Sequence, residues 1–124
     1  SSAASDVYKR QVFARRVFGP AEQAALGLPL AEEEGTARRT AHTVASAAAD
    51  FAAKEAFLKA AGTGLREPFS LCEIEAVRLP GGAPAYHFSG RSAQWVEARR
   101  LRAHLSLSHE DGMAMAYCIL ETET

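Results

Sequence analysis

The chain has three lysines, Lys9, Lys54 and Lys59, and two of them bracket Glu55 in the stretch Phe51 to Gly64, FAAKEAFLKAAGTG. At about 100° per residue, Phe51, Glu55 and Leu58 fall on one helical stripe with Lys59 on its flank. The aromatic and the leucine mark that stripe as buried, and a bare charge is costly to bury. Glu55 is therefore expected to have a cationic partner or a metal ion. Glu55 and Lys59 also stand i, i+4 in the favourable order, so a surface ion pair worth a few tenths of a kcal/mol is the competing reading. The Gly62-Thr63-Gly64 turn either offers backbone N–H groups to a phosphate or simply caps the helix. His109 stands where a strand meets a turn, followed by Glu110 and Asp111. It reads as a donor to a phosphate or a hydroxyl, or as a solvent-exposed turn residue. His104, on one strand face with Ser106 and Ser108, is a weaker candidate; His42 and His87 read as surface or half-buried side chains. No Ser-His-Asp order, zinc-ligand spacing or dinucleotide fingerprint is present.

The elements that must position these groups are those of one small α+β domain. With 124 residues, 48% hydrophobic and 23% charged, the chain has the size and balance of a single folded unit. A net charge of −1 disfavours nucleic-acid binding, which needs a basic excess to displace phosphate counterions. No run approaches the roughly 20 apolar residues that span a bilayer, and no signal peptide is seen, so a cytoplasmic protein is expected. Cys72 and Cys118 read as a reduced pair inside strands.

Ser1 to Gln11 shows neither a strand nor a helix period and reads as a non-native or disordered tail, with the domain occupying residues 12–124. Val12 to Phe18 has apolar Val12, Phe13, Val17 and Phe18 set against Arg15 and Arg16. Pro20 opens a short helix to about Leu26. A loop from Gly27 to Gly35 carries the solvated acidic triplet Glu32 to Glu34. A long alanine-rich helix follows from about Thr36 to Ala61, stopped by Gly62. Leu71 to Leu79 alternates as a strand, turned by Gly81-Gly82 into a second strand from Ala85 to Ser89. A helix from about Arg91 to Leu101 points Ala93, Val96 and Leu101 inward. Leu105 and Leu107 face opposite to His104, Ser106 and Ser108, which is strand alternation. His109 to Gly112 turns the chain. Met113 to Leu120 is nearly all apolar and is expected to be a central strand covered on both faces.

These segments, in this order, resemble the small 4′-phosphopantetheinyl transferases, the holo-[acyl-carrier-protein] synthase family. Phe13 to Glu22 (FARRVFGPAE) is similar to the family's arginine-bearing helix and its Phe-x-Pro-x-Glu-like corner. Phe51 to Gly64 matches its signature FAAKEAxxKAxGTG almost residue for residue. Gly82-Ala83-Pro84 resembles its Gly-x-Pro hairpin, and Leu105 to His109 (LSLSH) its C-terminal Ser-His hairpin. The resemblance implies an α+β fold with a small antiparallel sheet packed on one long helix and one or two shorter ones. It implies transfer of the phosphopantetheine arm of coenzyme A to a serine of apo acyl carrier protein, with Mg²⁺ on the pyrophosphate and release of adenosine 3′,5′-bisphosphate, in fatty acid and lipid synthesis. By position, Glu55 resembles the metal-ligating glutamate and Lys59 the lysine facing the coenzyme phosphates. Gly62, Thr63, Gly64 and Pro84 line the family's coenzyme site, with His109 beside it. Arg15 and Arg16 resemble residues that dock the acidic carrier protein. The family's small members are homotrimers with coenzyme sites between protomers.

Two departures stand out. The family opens with a strand whose Gly-x-Asp motif supplies a second metal ligand, and no such strand precedes Phe13. Asp6 lies too close to Phe18 to take that role. From this the chain is expected to be less stable, to bind Mg²⁺ more weakly and to be impaired as a catalyst, the alternative being a coenzyme A or carrier-protein binding module without turnover. Asp50 stands where the signature has arginine, and its spacing reads as an i, i+4 partner of Lys54.

Overall fold

The computed structural model describes residues 2–28 and 37–123, so the acidic triplet Glu32 to Glu34 lies outside the described residues. Three helices come first: α1 (Ser2–Val17), α2 (Pro20–Leu26) and α3 (Ala37–Ala61). After a single 3-10 turn at Leu71–Glu73 come β1 (Ile74–Arg78), β2 (Pro84–Phe88), α4 (Gly90–Ala98), β3 (Leu101–Glu110) and β4 (Met113–Thr122). The strands form two antiparallel hairpins, β1 with β2 and β3 with β4, and β2 lies beside β3. The α+β architecture with a long helix over antiparallel strands is the one the residue pattern implied.

Each start and stop has a local cause. Pro20 occupies the first turn of α2, and Glu22 reaches back to accept the Gly19 N–H at 3.1 Å. Gly19 has no room for a side chain, since a Cβ there would lie 2.3 Å from Glu75 Cδ and 2.5 Å from the Cys72 carbonyl. Gly62, at φ 78, ends α3 by donating to the carbonyls of Leu58 and Lys59. Glu73 takes over the N-terminus of α4, accepting from the Ser92 N–H at 3.2 Å and the Ser92 hydroxyl at 3.1 Å.

The main core is Phe57, Leu58, Phe69, Ile74 and Val96, closed by Tyr86, Phe88 and Trp95. Phe57 is fully buried at its centre, with ring centroids 5.5 Å from Phe69 and 4.8 Å from Phe88. A smaller cluster of Val17, Phe18 and Leu26 fixes the corner between α1 and α2.

Several expectations are corrected. Residues 2–11 are helical, the first ten residues of α1. From Tyr8 to Arg16 no residue of this helix is buried, with Tyr8 and Phe13 exposed, so this part presents no buried stripe for a periodicity to detect. Cys72 sits in the 3-10 turn, so the strand begins at Ile74; both cysteines are free thiols. Helix α4 stops at Ala98, and Leu101 opens β3. His109 and Glu110 belong to β3, leaving Asp111 and Gly112 as the turn. Strand β4 is not covered on both faces: Met113, Met115, Tyr117 and Ile119 are exposed, while Ala114, Ala116, Cys118 and Leu120 point inward. Continuous apolarity here records two different apolar faces, only one of them buried within the chain.

Candidate functional site

Helix α3 and strand β4 face each other across a groove of about 480 Å³. The helix contributes Ala52, Glu55, Ala56, Lys59 and Ala60, a stripe of i, i+3, i+4, i+7 and i+8 spacing; the strand contributes Ala116, Tyr117 and Cys118. The alanines keep the helix side of the groove shallow and apolar. Glu55 and Lys59 add one carboxylate and one ammonium, one helical turn apart.

Glu55 is exposed, and no metal-holding group of three His, Cys, Asp or Glu side chains forms among the described residues. The expectation that it shares a buried stripe with Phe51 and Leu58 is corrected: Leu58 is buried, but Phe51 is 39% exposed. The buried side of α3 is instead Ala49, Ala53, Lys54, Phe57 and Leu58. Glu55 lies one residue round from that stripe, where a carboxylate stays solvated at no desolvation cost.

The carboxylate-to-lysine pairing exists, on different residues. Lys54 is fully buried, and its ammonium donates to Glu22 Oε1 at 2.5 Å, to the Leu71 carbonyl at 2.9 Å and to the Ile74 carbonyl at 2.7 Å. All three of its donors are used, and the charge also lies 5.6 Å from the Phe18 ring centroid. Glu22 in turn accepts from the backbone of Gly19 and Ala76. Its own N–H donates to the buried carboxylate of Glu75, beside which His87 Nδ1 lies at 3.4 Å. Burial pushes the Glu22 carboxyl up, against the opposing pull of Lys54.

Asp50 is therefore not the ion-pair partner of Lys54. It is half-buried at the edge of this network, where desolvation first and the Glu22 charge second push its carboxyl up to about 7. The signal for the buried pair lay in the sequence unused: Lys54, Phe57, Leu58 and Ala61 form one helical stripe, with the lysine on it.

The other predicted residues do not line the groove. Gly62, Thr63 and Gly64 follow Lys59 at the C-terminal end of α3; Gly62 and Gly64 have φ of 78 and 64, with open space around both. The Thr63 hydroxyl donates to the Gly64 carbonyl at 2.9 Å. Pro84 opens β2 on the face shared with Tyr86 and Phe88. The Tyr86 hydroxyl donates to the Ala53 carbonyl at 2.6 Å, beneath the groove. Burial raises both Tyr86 and the neighbouring Cys118 thiol, so both are protonated at neutral pH.

His109 shares a strand face with Leu105 and Leu107 and pairs with Ala114, two residues along β4 from groove-lining Ala116. It is exposed and does not line the groove, being roughly 7 Å further along the sheet. His104 is tied to Glu121 at 2.8 Å on the opposite face. Arg15 and Arg16 are exposed on the last turn of α1, which packs on the 3-10 turn and α2 rather than on the groove. One chain thus brings Glu55 and Lys59 together, with the glycine turn next to them, and leaves His109, Arg15 and Arg16 apart.

Comparison with known proteins follows the same lines. The family model of the 4′-phosphopantetheinyl transferase superfamily matches residues 4–118. A holo-[acyl-carrier-protein] synthase from Leptothrix cholodnii is 39% identical over 111 residues, covering 90% of this chain and 80% of the relative. The crystal structure of holo-[acyl-carrier-protein] synthase from Neisseria meningitidis matches with TM-score 0.73 at 29% identity, over 95% of this chain and 90% of that one. The Bacillus anthracis holo-(acyl-carrier-protein) synthase, solved in complex with CoA (3′,5′-ADP), matches with TM-score 0.68 at 26% identity, over 96% and 89%.

Proposed function

The chain belongs to the 4′-phosphopantetheinyl transferase superfamily, and from that premise we propose that it moves the phosphopantetheine arm of coenzyme A onto a serine hydroxyl of an apo acyl carrier protein. The observation that carries this reading is the groove stripe of α3, where Glu55 and Lys59 stand together in solvent beside an open glycine turn. Phosphoryl transfer asks an enzyme mainly for positioning and for charges that offset those of the phosphates. Lys59, in the last turn of α3, faces the coenzyme phosphates, and the backbone of Gly62 to Gly64 approaches them closely. Pro84 borders the coenzyme. The serine oxygen forms a bond to the phosphorus that carries the pantetheine, and the bond to adenosine 3′,5′-bisphosphate breaks. The serine proton passes through a bridging water to the Glu55 carboxylate.

Glu55 is also the residue that would hold Mg²⁺. A single protein carboxylate suits this ion, which keeps waters and takes substrate phosphate oxygens as further ligands. When bound it supplies neutralisation of the pyrophosphate charge.

The outer face of the β3–β4 hairpin supports a homotrimer. Met113, Met115, Tyr117 and Ile119 expose a continuous apolar strip, the kind of surface that a partner covers. Tyr117 lies both on this strip and in the groove lining, which joins the site to the contact and lets His109 reach the coenzyme from a neighbouring protomer. Arg15 and Arg16, away from the groove, dock the acidic carrier protein and raise its encounter rate.

A second reading, a binding module without turnover, is favoured by one observation: Glu55 is the one carboxylate among the described residues that line the groove. Incubation with coenzyme A, Mg²⁺ and apo acyl carrier protein separates the two. Transfer that stops on adding EDTA supports the enzyme. Calorimetric binding of coenzyme A with an unmodified carrier supports the module.

A further inference from the structure

Lys54 precedes Glu55 in the chain and points the other way, into the protein. We propose that Lys54 is a positioning residue for the groove: its three bonds fix the rotation of α3 about its own axis, and so fix where Glu55 and Lys59 point. The inference rests on the transferase reading above. Its physical basis is that Lys54 bonds to three separate pieces of chain, Glu22 in α2, Leu71 in the 3-10 turn and Ile74 at the start of β1. One point of attachment lets a helix roll, whereas three acceptors in different elements do not. One residue earlier the Tyr86 hydroxyl holds the Ala53 carbonyl from β2, so consecutive residues of α3 are tied from two sides.

The same attachment reaches the other end of the reaction. Glu22 lies in α2, and Phe18, under the Lys54 ammonium, ends the α1 corner that carries Arg15 and Arg16. The proposed carrier-docking helix and the groove are thus joined through one side chain. A buried ion pair is often no better for stability than apolar residues of the same shape, so its presence one residue from Glu55 calls for a reason other than stability. A displacement of about 1 Å at a reacting group costs on the order of 100-fold in rate.

The test is a double-mutant cycle read in turnover per folded molecule, with folding checked by circular dichroism. Lys54→Met is expected to lower kcat by about 100-fold while the protein stays folded well below its melting temperature. Glu55→Gln, which is severe in the parent, is expected to cost less than tenfold in the Lys54→Met background, because the carboxylate is already misplaced there. Should Lys54→Met not fold, the charge-free pair Lys54→Met/Glu22→Gln serves as the background. Equal costs of Glu55→Gln in both backgrounds would overturn the positioning role and leave Lys54 as a structural residue. No transfer by the parent chain would overturn the transferase reading itself, and this inference with it.

Discussion

Helix α3 has two working sides, and they are built on opposite terms. Toward α2 and β1, Lys54 is buried with every donor used, Glu22 is buried with both oxygens bonded, and Phe57 is enclosed by aromatic rings. Toward β4, Glu55 and Lys59 stand in solvent on a floor of alanines. Charges on the first side are satisfied inside the chain and so are silent toward a ligand. Those on the second side are left for one. Neighbouring residues in a single motif, Lys54 and Glu55, thus face the core and the groove respectively, because a step of about 100° moves a side chain from one to the other.

The largest effects that would break this division lie on the inner side. Glu22→Ala leaves the Lys54 charge buried without its partner and should cost about 3–5 kcal/mol, read as a fall in the urea midpoint. If the loss stayed below about 1 kcal/mol, the pair would not hold the interior together. Gly19→Ala should follow at about 2–3 kcal/mol, since its Cβ meets the Cys72 backbone as well as the Glu75 side chain. A variant of unchanged melting temperature would show that α2 can shift away from β1.

Asp50 sharpens the comparison because it belongs to neither side. Its carboxyl is raised to about 7 in the folded chain against an ordinary 3.8, so the folded state binds the extra proton between those values. Stability from this group therefore falls as pH rises from about 4 to 7, and its full cost is present above 7. Asp50→Asn should stabilise the protein at pH 8 by about 1–2 kcal/mol after allowance for solvent screening, and by nearly nothing at pH 4. Equal effects at the two pH values would contradict the origin assigned to the shift.

The smallest stability effect is expected on the outer strip. Ile119→Glu should leave the melting of the monomer within about 0.5 kcal/mol of the parent, as for an exposed site. In light scattering it should convert the proposed trimer to monomers. Unchanged mass would show that this strip is not the contact between copies.

Much of the fold was legible because its signals are local. Pro20 and Gly62 mark helix ends by their backbone chemistry, and Leu105 and Leu107 against Ser106 and Ser108 alternate as a half-buried strand must. What was not legible depended on partners far along the chain. Nothing near Lys54 announces Glu22, 32 residues away, or the carbonyls of Leu71 and Ile74. The i, i+4 rule therefore picked Asp50, the nearest carboxylate of the right spacing. The first ten residues of α1 were missed for the opposite reason, since Ser1 to Gln11 shows no apolar period to read. In the candidate site, Glu55 and Lys59 were singled out by type and motif, and both line one groove. Their exposure agrees with the competing surface reading rather than the buried one, because Phe51 and Leu58 made the stripe look apolar while Ala52, Ala56 and Ala60 shape the groove unnoticed.

The most direct test of the division on α3 is intact-mass spectrometry of apo acyl carrier protein incubated with coenzyme A, Mg²⁺ and either the parent chain or Glu55→Gln, with both proteins melted in parallel. A phosphopantetheine gain by the parent, lost by at least about 100-fold in a variant that melts within about 0.5 kcal/mol of it, is the predicted result. Retained transfer by Glu55→Gln, or a loss that follows unfolding, would contradict the assignment of chemistry to the groove side of the helix.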